Sequence, residues 1–502
     1  MDTSSSKPAV DAPALGNIVV LLVVIAALRV LHLLFLYPVD LAPDEAQYWA
    51  WAQAPAFGYF SKPPLIAWAI ASTTAVCGDA EGCVRLSSPL FQLGAALFVL
   101  GVGRRLFARS NGDHPQAALI GAASALALTT LPGVFVSSAV ASTDAPLLFF
   151  WSGALYALIR ALDEDNARWW ALLGICIGLG FMAKYAMGFF VLSLVLLVAV
   201  DRDARARLVG RGMLAALAIA VLIVSPNILW NAQNRFVTLA HTEANANIGG
   251  SLFHPLALIE FVGAQFGVFG PIFFAALLWI AIARWRLLAD RSYRLLAIFA
   301  APPLLLMIVL SILSRANANW SAPTYIAGTV LVVAVLIAER RRRLVTASVA
   351  LHTAVAVLAF ALVAWADARP TALPSWADPL KRLRSWDSYG RAVASVSAAV
   401  PHIGYVFDDR PGLVELLYYG PRPVEAWKWN DKPKIDDHYD LTRNVATAPP
   451  GPLVLVTESK DPSGILASFE HSEPIGGVRQ VLGRGRERVL RLYLVEGFKG
   501  YR

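Results

Sequence analysis

The chain has 502 residues, of which 57% are hydrophobic and only 16% charged. That balance excludes an ordinary soluble domain and fits a polytopic α-helical membrane protein among membrane lipids. The formal charge of +8 raises nucleic acid as a partner, but the basic residues cluster between apolar runs. They report topology instead, and no nucleic-acid partner is expected.

Residues 1–13 are polar and rich in Ser, Ala and Pro, and they are expected to form a disordered cytoplasmic N-terminus. The run 15–37 exceeds a signal-peptide core and has no convincing small-residue cleavage pattern, so it reads as a retained first helix. A first outer loop follows over 38–85. Windows of roughly 20 residues per crossing place further spans at 86–107, 117–136, 145–162, 169–183, 186–200, 213–230, 261–283, 295–313, 322–338 and 344–366. That makes about eleven helices and a transmembrane domain over 14–366. From 367 to 502 the composition turns to Pro, Asp, Trp and Lys without a further spanning run. Segments 402–407 and 452–457 read as strands, and 411–419 reads as a helix stopped by Gly420-Pro421, giving a small C-terminal α/β domain. No internal repeat stands out.

One set of alternate connections holds Arg104, Arg105, Arg202, Arg205, Arg291, Arg294 and the run from Arg340 to Arg343. The opposite set holds only Lys62, Arg85, Lys184, Arg235 and Arg315. The positive-inside rule puts the arginine-rich set and the N-terminus in the cytoplasm. An odd number of crossings then puts the tail outside, in the periplasm of a bacterium. Cys77 and Cys83 share the first outer loop, where a disulfide and two thiols that never meet are both open readings.

This topology sorts the polar residues by side. Asp44, Glu45 and Lys62 lie in the first outer loop; Thr143-Asp144 opens the fourth helix; Lys184-Tyr185 lies between the fifth and sixth. His241, Glu243, Asn245 and Asn247 fill the fourth outer loop, and Arg315, Asn317, Asn319 and Trp320 the fifth. Five segments thus bring acids, cations and amides to one rim, and polar groups held against a membrane are functional candidates. The kit suits transfer of a group from a phosphate-bearing lipid. Cations neutralise a departing phosphate, and a carboxylate takes the proton of an attacking hydroxyl.

Plainer readings stand beside these. Asp144 reads also as a helix cap, Lys184 as a snorkelling interfacial residue, and Arg315 as a headgroup anchor. Asp44-Glu45 reads also as a solvated loop pair. His241 and Glu243 read as ordinary loop residues before they read as metal ligands. Tyr48, Trp49, Trp51, Tyr59 and Phe60 form either an interfacial belt or a sugar-stacking surface.

Asp44-Glu45-Ala46-Gln47-Tyr48-Trp49, Gly58-Tyr59-Phe60-Ser61-Lys62-Pro63-Pro64-Leu65 and Ser142-Thr143-Asp144-Ala145-Pro146-Leu147 resemble the bacterial ArnT-like glycosyltransferases. These belong to the protein-mannosyltransferase group of GT-C enzymes. Gly178-Leu179-Gly180-Phe181-Met182-Ala183-Lys184-Tyr185, Pro226-Asn227-Ile228-Leu229-Trp230-Asn231, Ala318-Asn319-Trp320-Ser321-Ala322-Pro323 and, in the tail, Asp437-His438-Tyr439-Asp440-Leu441 extend the resemblance. It implies a GT-C fold, a polyprenyl-phosphate-linked sugar as donor, and a lipid A, lipopolysaccharide, glycan or protein acceptor at the periplasmic face of the inner membrane. It implies Asp44 as catalytic base of an inverting transfer of one sugar, and Lys62 on the lipid phosphate. Asp144 and Lys184 would line the same cavity, Lys184 and Arg315 would help Lys62 hold the donor phosphate, and Glu45 and Tyr59 are carried as substrate-binding residues. Ser61 stands where the aminoarabinose transferase has a metal-associated glutamate, so no metal ligand is assigned. No cofactor follows, and a divalent metal stays only an alternative. Galacturonate, mannose or another hexose all remain open as the sugar. The rival reading is a transporter or flippase for a lipid-linked solute, which predicts polar residues near mid-membrane and two-sided access.

Overall fold

The computed structural model describes residues 12–108, 116–246, 253–374, 376–432 and 434–501. Residues 1–11 lie outside this range, and with them most of the stretch expected to be disordered. The chain divides into two compact units. One comprises Met1–Phe35, Lys62–Ala69 and Arg85–Leu358; the other comprises Leu36–Ser61, Ile70–Val84 and Ala359–Arg502. This division does not follow a single cut near residue 366, because the 36–61 and 70–84 segments group with the tail.

The first unit is helical, and the chain is a multi-pass membrane protein. Among the described residues six helices are long and apolar enough to cross a membrane, or up to eight if two bent pairs each count as one span. Four shorter apolar helices accompany them, Leu65–Cys77, Ala167–Ala183, Tyr185–Val200 and Thr324–Ala338. Every expected span falls on helix, but two are not straight. Ala117–Thr130 and Pro132–Ser138 bend by 61°, and Pro255–Val268 and Pro271–Ala283 bend by 118°. The expected single helices 117–136 and 261–283 are corrected accordingly. Pro132 and Pro271 each sit in the first turn of the second helix. A proline donates no backbone hydrogen bond and turns the preceding residue out of helical geometry. A hydropathy window averages over that single residue.

Helix Thr324–Ala338 is buried around its whole circumference from Thr324 to Ile337. An apolar helix without an exposed face belongs at the centre of a bundle. Leu15–Phe35, with 17% of its window buried, and Arg342–Ala368, with 11%, are peripheral. In lipid, apolar side chains gain little by leaving the solvent, so close packing holds such a bundle together. Ser87–Ala108 and Ala117–Thr130 meet at Gly103 and Gly121, where a side chain on Gly103 would lie 2.8 Å from the Gly121 Cα.

The second unit is built on a five-stranded sheet: β1 Tyr405–Phe407, β2 Ala426–Lys428, β3 Leu453–Thr457, β4 Phe469–Gly483 and β5 Arg486–Phe498, in the order β2-β1-β3-β5-β4. β1 pairs in parallel with β2 and β3, with Val406 opposite Trp427 and Leu455. β5 runs antiparallel to β3 and β4. The first three strands are buried throughout, as parallel strands covered on both faces must be. The expected strands at 402–407 and 452–457 are β1 and β3. The expected helix is Arg410–Tyr419, with Gly420 as its C-cap. The long β4–β5 hairpin was not foreseen, since its strands alternate too irregularly to show a period of two. Cys77 and Cys83 are joined in a disulfide.

Candidate active site

In the helical unit, Asp144 is the first residue of helix Asp144–Glu164. The cap position belongs to Thr143, and the Asp144 carboxylate turns elsewhere. Its Oδ1 accepts from Lys184 Nζ at 2.6 Å, and its Oδ2 accepts from Asn319 Nδ2 at 2.7 Å. Lys184 terminates helix Ala167–Ala183 in an extended conformation. Asn319 sits in the short turn Ala318–Ser321, which Gln265 holds through the Ala318 carbonyl at 3.3 Å and the Ser321 hydroxyl at 2.9 Å. Beside Lys184, the Tyr185 hydroxyl meets Asn227 Oδ1 at 2.9 Å and Asn231 Nδ2 at 3.0 Å. Three separate expected segments therefore converge, and the two buried asparagines of helix Arg211–Gln233 brace them.

A cavity of about 410 Å³ adjoins this group. Gly133, Val136, Val268 and Tyr325 give it an apolar wall, while Ser142, Asp144 and Asn319 supply polar atoms. The Ser142 hydroxyl is buried, with no hydrogen-bond partner among the described residues. An apolar hollow with a few convergent polar groups is the usual form of a small-molecule site.

In the second unit, Asp44 and Glu45 lie in the first turn of helix Pro43–Ala52. Glu45 is buried, and its carboxylate reaches back to accept from the Ala42 N–H at 3.0 Å. Asp44 points out, with its side chain 64% exposed, and its Oδ1 accepts from Arg410 Nη1 at 2.8 Å. The same Nη1 donates to Gln47 Oε1 at 2.8 Å. Burial works against the guanidinium charge of Arg410, but Asp44, together with Asp437 and Tyr48, holds the group above the usual arginine range. Tyr59 is buried and stacked on Trp51 with ring centres 4.4 Å apart, and the His438 ring stands edge-on to both. The Tyr59 hydroxyl donates to the Trp51 carbonyl and accepts from the Ala56 N–H, and burial pushes its pKa up to about 12. Burial, with Arg443 nearby, lowers His438 to about 4, so its ring is neutral at physiological pH. The aromatic group is thus internal packing in this unit. Glu45 and Tyr59, expected to bind substrate, sit inside this unit and pack around the helix that carries Asp44.

Lys62 lies part-exposed just before Pro63-Pro64, and Arg315 is exposed on the connection that carries Asn319. The expected fourth loop is helical over Val237–Ala246, with Glu243 and Asn245 exposed; Asn247 lies outside the described residues. Among the described residues no three of His, Cys, Asp or Glu gather as a metal site.

The family profile of dolichyl-phosphate-mannose-protein mannosyltransferases matches residues 61–230. The lipid A galacturonosyltransferase RgtD of Rhizobium johnstonii is 36% identical over 299 residues, covering 59% of this chain and 60% of that protein. An undecaprenyl phosphate-aminoarabinose arabinosyl transferase of Pseudomonas aeruginosa is 31% identical over 201 residues, 37% of this chain and 35% of that one. The matched stretch thus spans between about a third and three fifths of these curated relatives. The crystal structure of ArnT from Cupriavidus metallidurans bound to undecaprenyl phosphate superposes with a TM-score of 0.61, covering 95% of this chain and 98% of that one at 18% identity. The apo crystal structure of the same protein gives 0.60 at 16% identity.

The fold is ArnT-like. Within the ArnT-like frame, Asn319 and Arg410 are the residues whose importance the sequence concealed. Asn319 was visible as one amide among several in its loop and within the Ala318–Pro323 motif, with no role attached to it. Arg410 carried one signal, the order Asp408-Asp409-Arg410-Pro411, which places a cation in the first turn of a helix, against its dipole.

Proposed function

We propose that this ArnT-like chain is an inverting glycosyltransferase that moves one galacturonic acid from a polyprenyl-phosphate donor to lipid A. The relative named for that sugar and acceptor supports the choice, at 36% identity. Asp44 carries the reading: an exposed carboxylate with one oxygen pinned by Arg410, in the motif where the resemblance puts the base. The acceptor oxygen bonds to the anomeric carbon from the face opposite the phosphate, the carbon–phosphate oxygen bond breaks, and the acceptor proton passes to Asp44. The departing phosphate needs cations rather than an acid, and Lys62 and Arg315 take that part. Lys184, already paired with Asp144, acts through it: the pair and Asn319 order the polar end of the apolar cavity.

The arginine-rich connections support a cytoplasmic N-terminus, and with it a periplasmic sheet unit and acceptor side in the inner membrane. The decisive experiment is turnover by purified, reconstituted enzyme with polyprenyl-phosphate galacturonic acid and lipid A, reading free polyprenyl phosphate. Asp44→Asn is expected to abolish release at an unchanged thermal midpoint. Parental turnover by that variant removes Asp44 as base, and absence of galacturonyl transfer by the parent removes the sugar assignment.

A further inference from the structure

We propose that Arg410 is the positioning residue of Asp44, fixing one carboxylate oxygen so that the other has a single aim. This inference rests on Asp44 being the base. Arg410 is the first residue of the ten-residue helix Arg410–Tyr419, where its charge faces the positive end of the helix dipole. A side chain that breaks a local rule is expected where function compensates for it. Here the compensation is the pair of 2.8 Å contacts from Nη1 to Asp44 Oδ1 and to Gln47 Oε1.

Gln47 lies three residues after Asp44 on the same helix and is buried, so its amide oxygen is a fixed post for the guanidinium. The other end of Arg410 is equally held. Asp409 caps its helix by accepting from the Gly412 N–H at 2.9 Å. Asp44 Oδ2, in contrast, takes no hydrogen bond among the described residues, and the side chain is 64% exposed. A free carboxylate swings about its terminal torsion. With Oδ1 held by a charge-assisted bond, Oδ2 is left oriented toward an incoming hydroxyl. General-base transfer depends on that aim, since a misplacement of about 1 Å can cost about 10²-fold.

The test uses full-length protein in nanodiscs, with kcat and donor KM measured for the parent, Arg410→Ala, Arg410→Lys, Gln47→Leu and Asp44→Asn, with and without guanidinium chloride. Arg410→Ala is expected to lose about 10²-fold in kcat at a near-parental KM. Arg410→Lys should fall between, because a point charge replaces the planar fork, and Gln47→Leu should lose less in the same direction. Added guanidinium should restore Arg410→Ala and leave Asp44→Asn inactive. Parental kcat in Arg410→Ala beside an inactive Asp44→Asn overturns the positioning role while the base stands. A raised KM at unchanged kcat makes Arg410 a substrate ligand and also overturns it. An active Asp44→Asn removes the base reading itself. Should Arg410→Ala fail to fold, parental kcat in both Arg410→Lys and Gln47→Leu is the overturning result.

Discussion

Asp409 carries the helix that presents Arg410, and it does so at an electrostatic cost. Burial pushes its carboxyl up to about 6, against the Gly412 N–H it accepts and with the help of the neighbouring Asp408 charge. The folded chain therefore binds this proton more tightly than the unfolded one. Asp409 contributes stability below about pH 4, its unfolded value, and loses it as pH rises through about 6. Asparagine caps a helix as well as aspartate and does not titrate. Asp409→Asn is thus expected to gain thermal midpoint over the parent as pH rises from about 4 to about 6.5, read in parallel melts in detergent. A difference between the two that stays flat across that window refutes the assignment. Lys184 shows the opposite economy. Its charge is matched by Asp144 at 2.6 Å, so the lysine that sequence reasoning offered to a phosphate is committed within its own unit.

The break between Pro255–Val268 and Pro271–Ala283 depends on Gly270, which has φ +84° and ψ 143°. Any other residue there costs on the order of 1–3 kcal/mol in backbone strain. A methyl group would also run into the imidazole of His352, from helix Arg342–Ala368. Gly270→Ala is expected to lower the thermal midpoint clearly, and adding His352→Ala should recover the steric part but not the backbone part. Full recovery in the double variant, or no loss in the single one, contradicts this account. The same helices mark what the sequence disclosed. Positions of apolar helices were legible because about 20 residues of hydrocarbon-compatible sequence leave a strong average. The bends at Pro132 and Gly270 were not, because one residue hardly moves that average. Asp44, Asp144 and Lys184 stood out as charges beside apolar runs. Arg410 did not, because its partner Asp44 lies 366 positions away in sequence, and no local pattern encodes such a contact.

Orientation of the chain turns on the same bent pair. A sheet such as β1–β3, with its buried Val406, Leu455 and Val454, has its own hydrophobic core and is indifferent to which compartment receives it. Arginine counts are not indifferent, because moving them across a membrane during insertion is costly. If the pair bent by 118° crosses the membrane, the helix Val237–Ala246 before it and the Trp285–Ala289 turn after it lie on opposite sides. If it returns to the side it entered, they share a side and the parity of every later crossing flips. The contrast between a connection holding Arg235 alone and one holding Arg284, Arg286, Arg291 and Arg294 favours crossing. Native thiols do not interfere with a test, since Cys77 and Cys83 are bonded and Cys176 is buried. In intact cells a membrane-impermeant maleimide is expected to label Glu243→Cys, and to label Arg286→Cys only after permeabilisation. Both positions are exposed, so a missing signal reports the membrane and not the fold. Labelling of both from outside makes the pair re-entrant, and labelling of Arg286→Cys alone reverses the whole orientation and takes the proposed periplasmic acceptor with it.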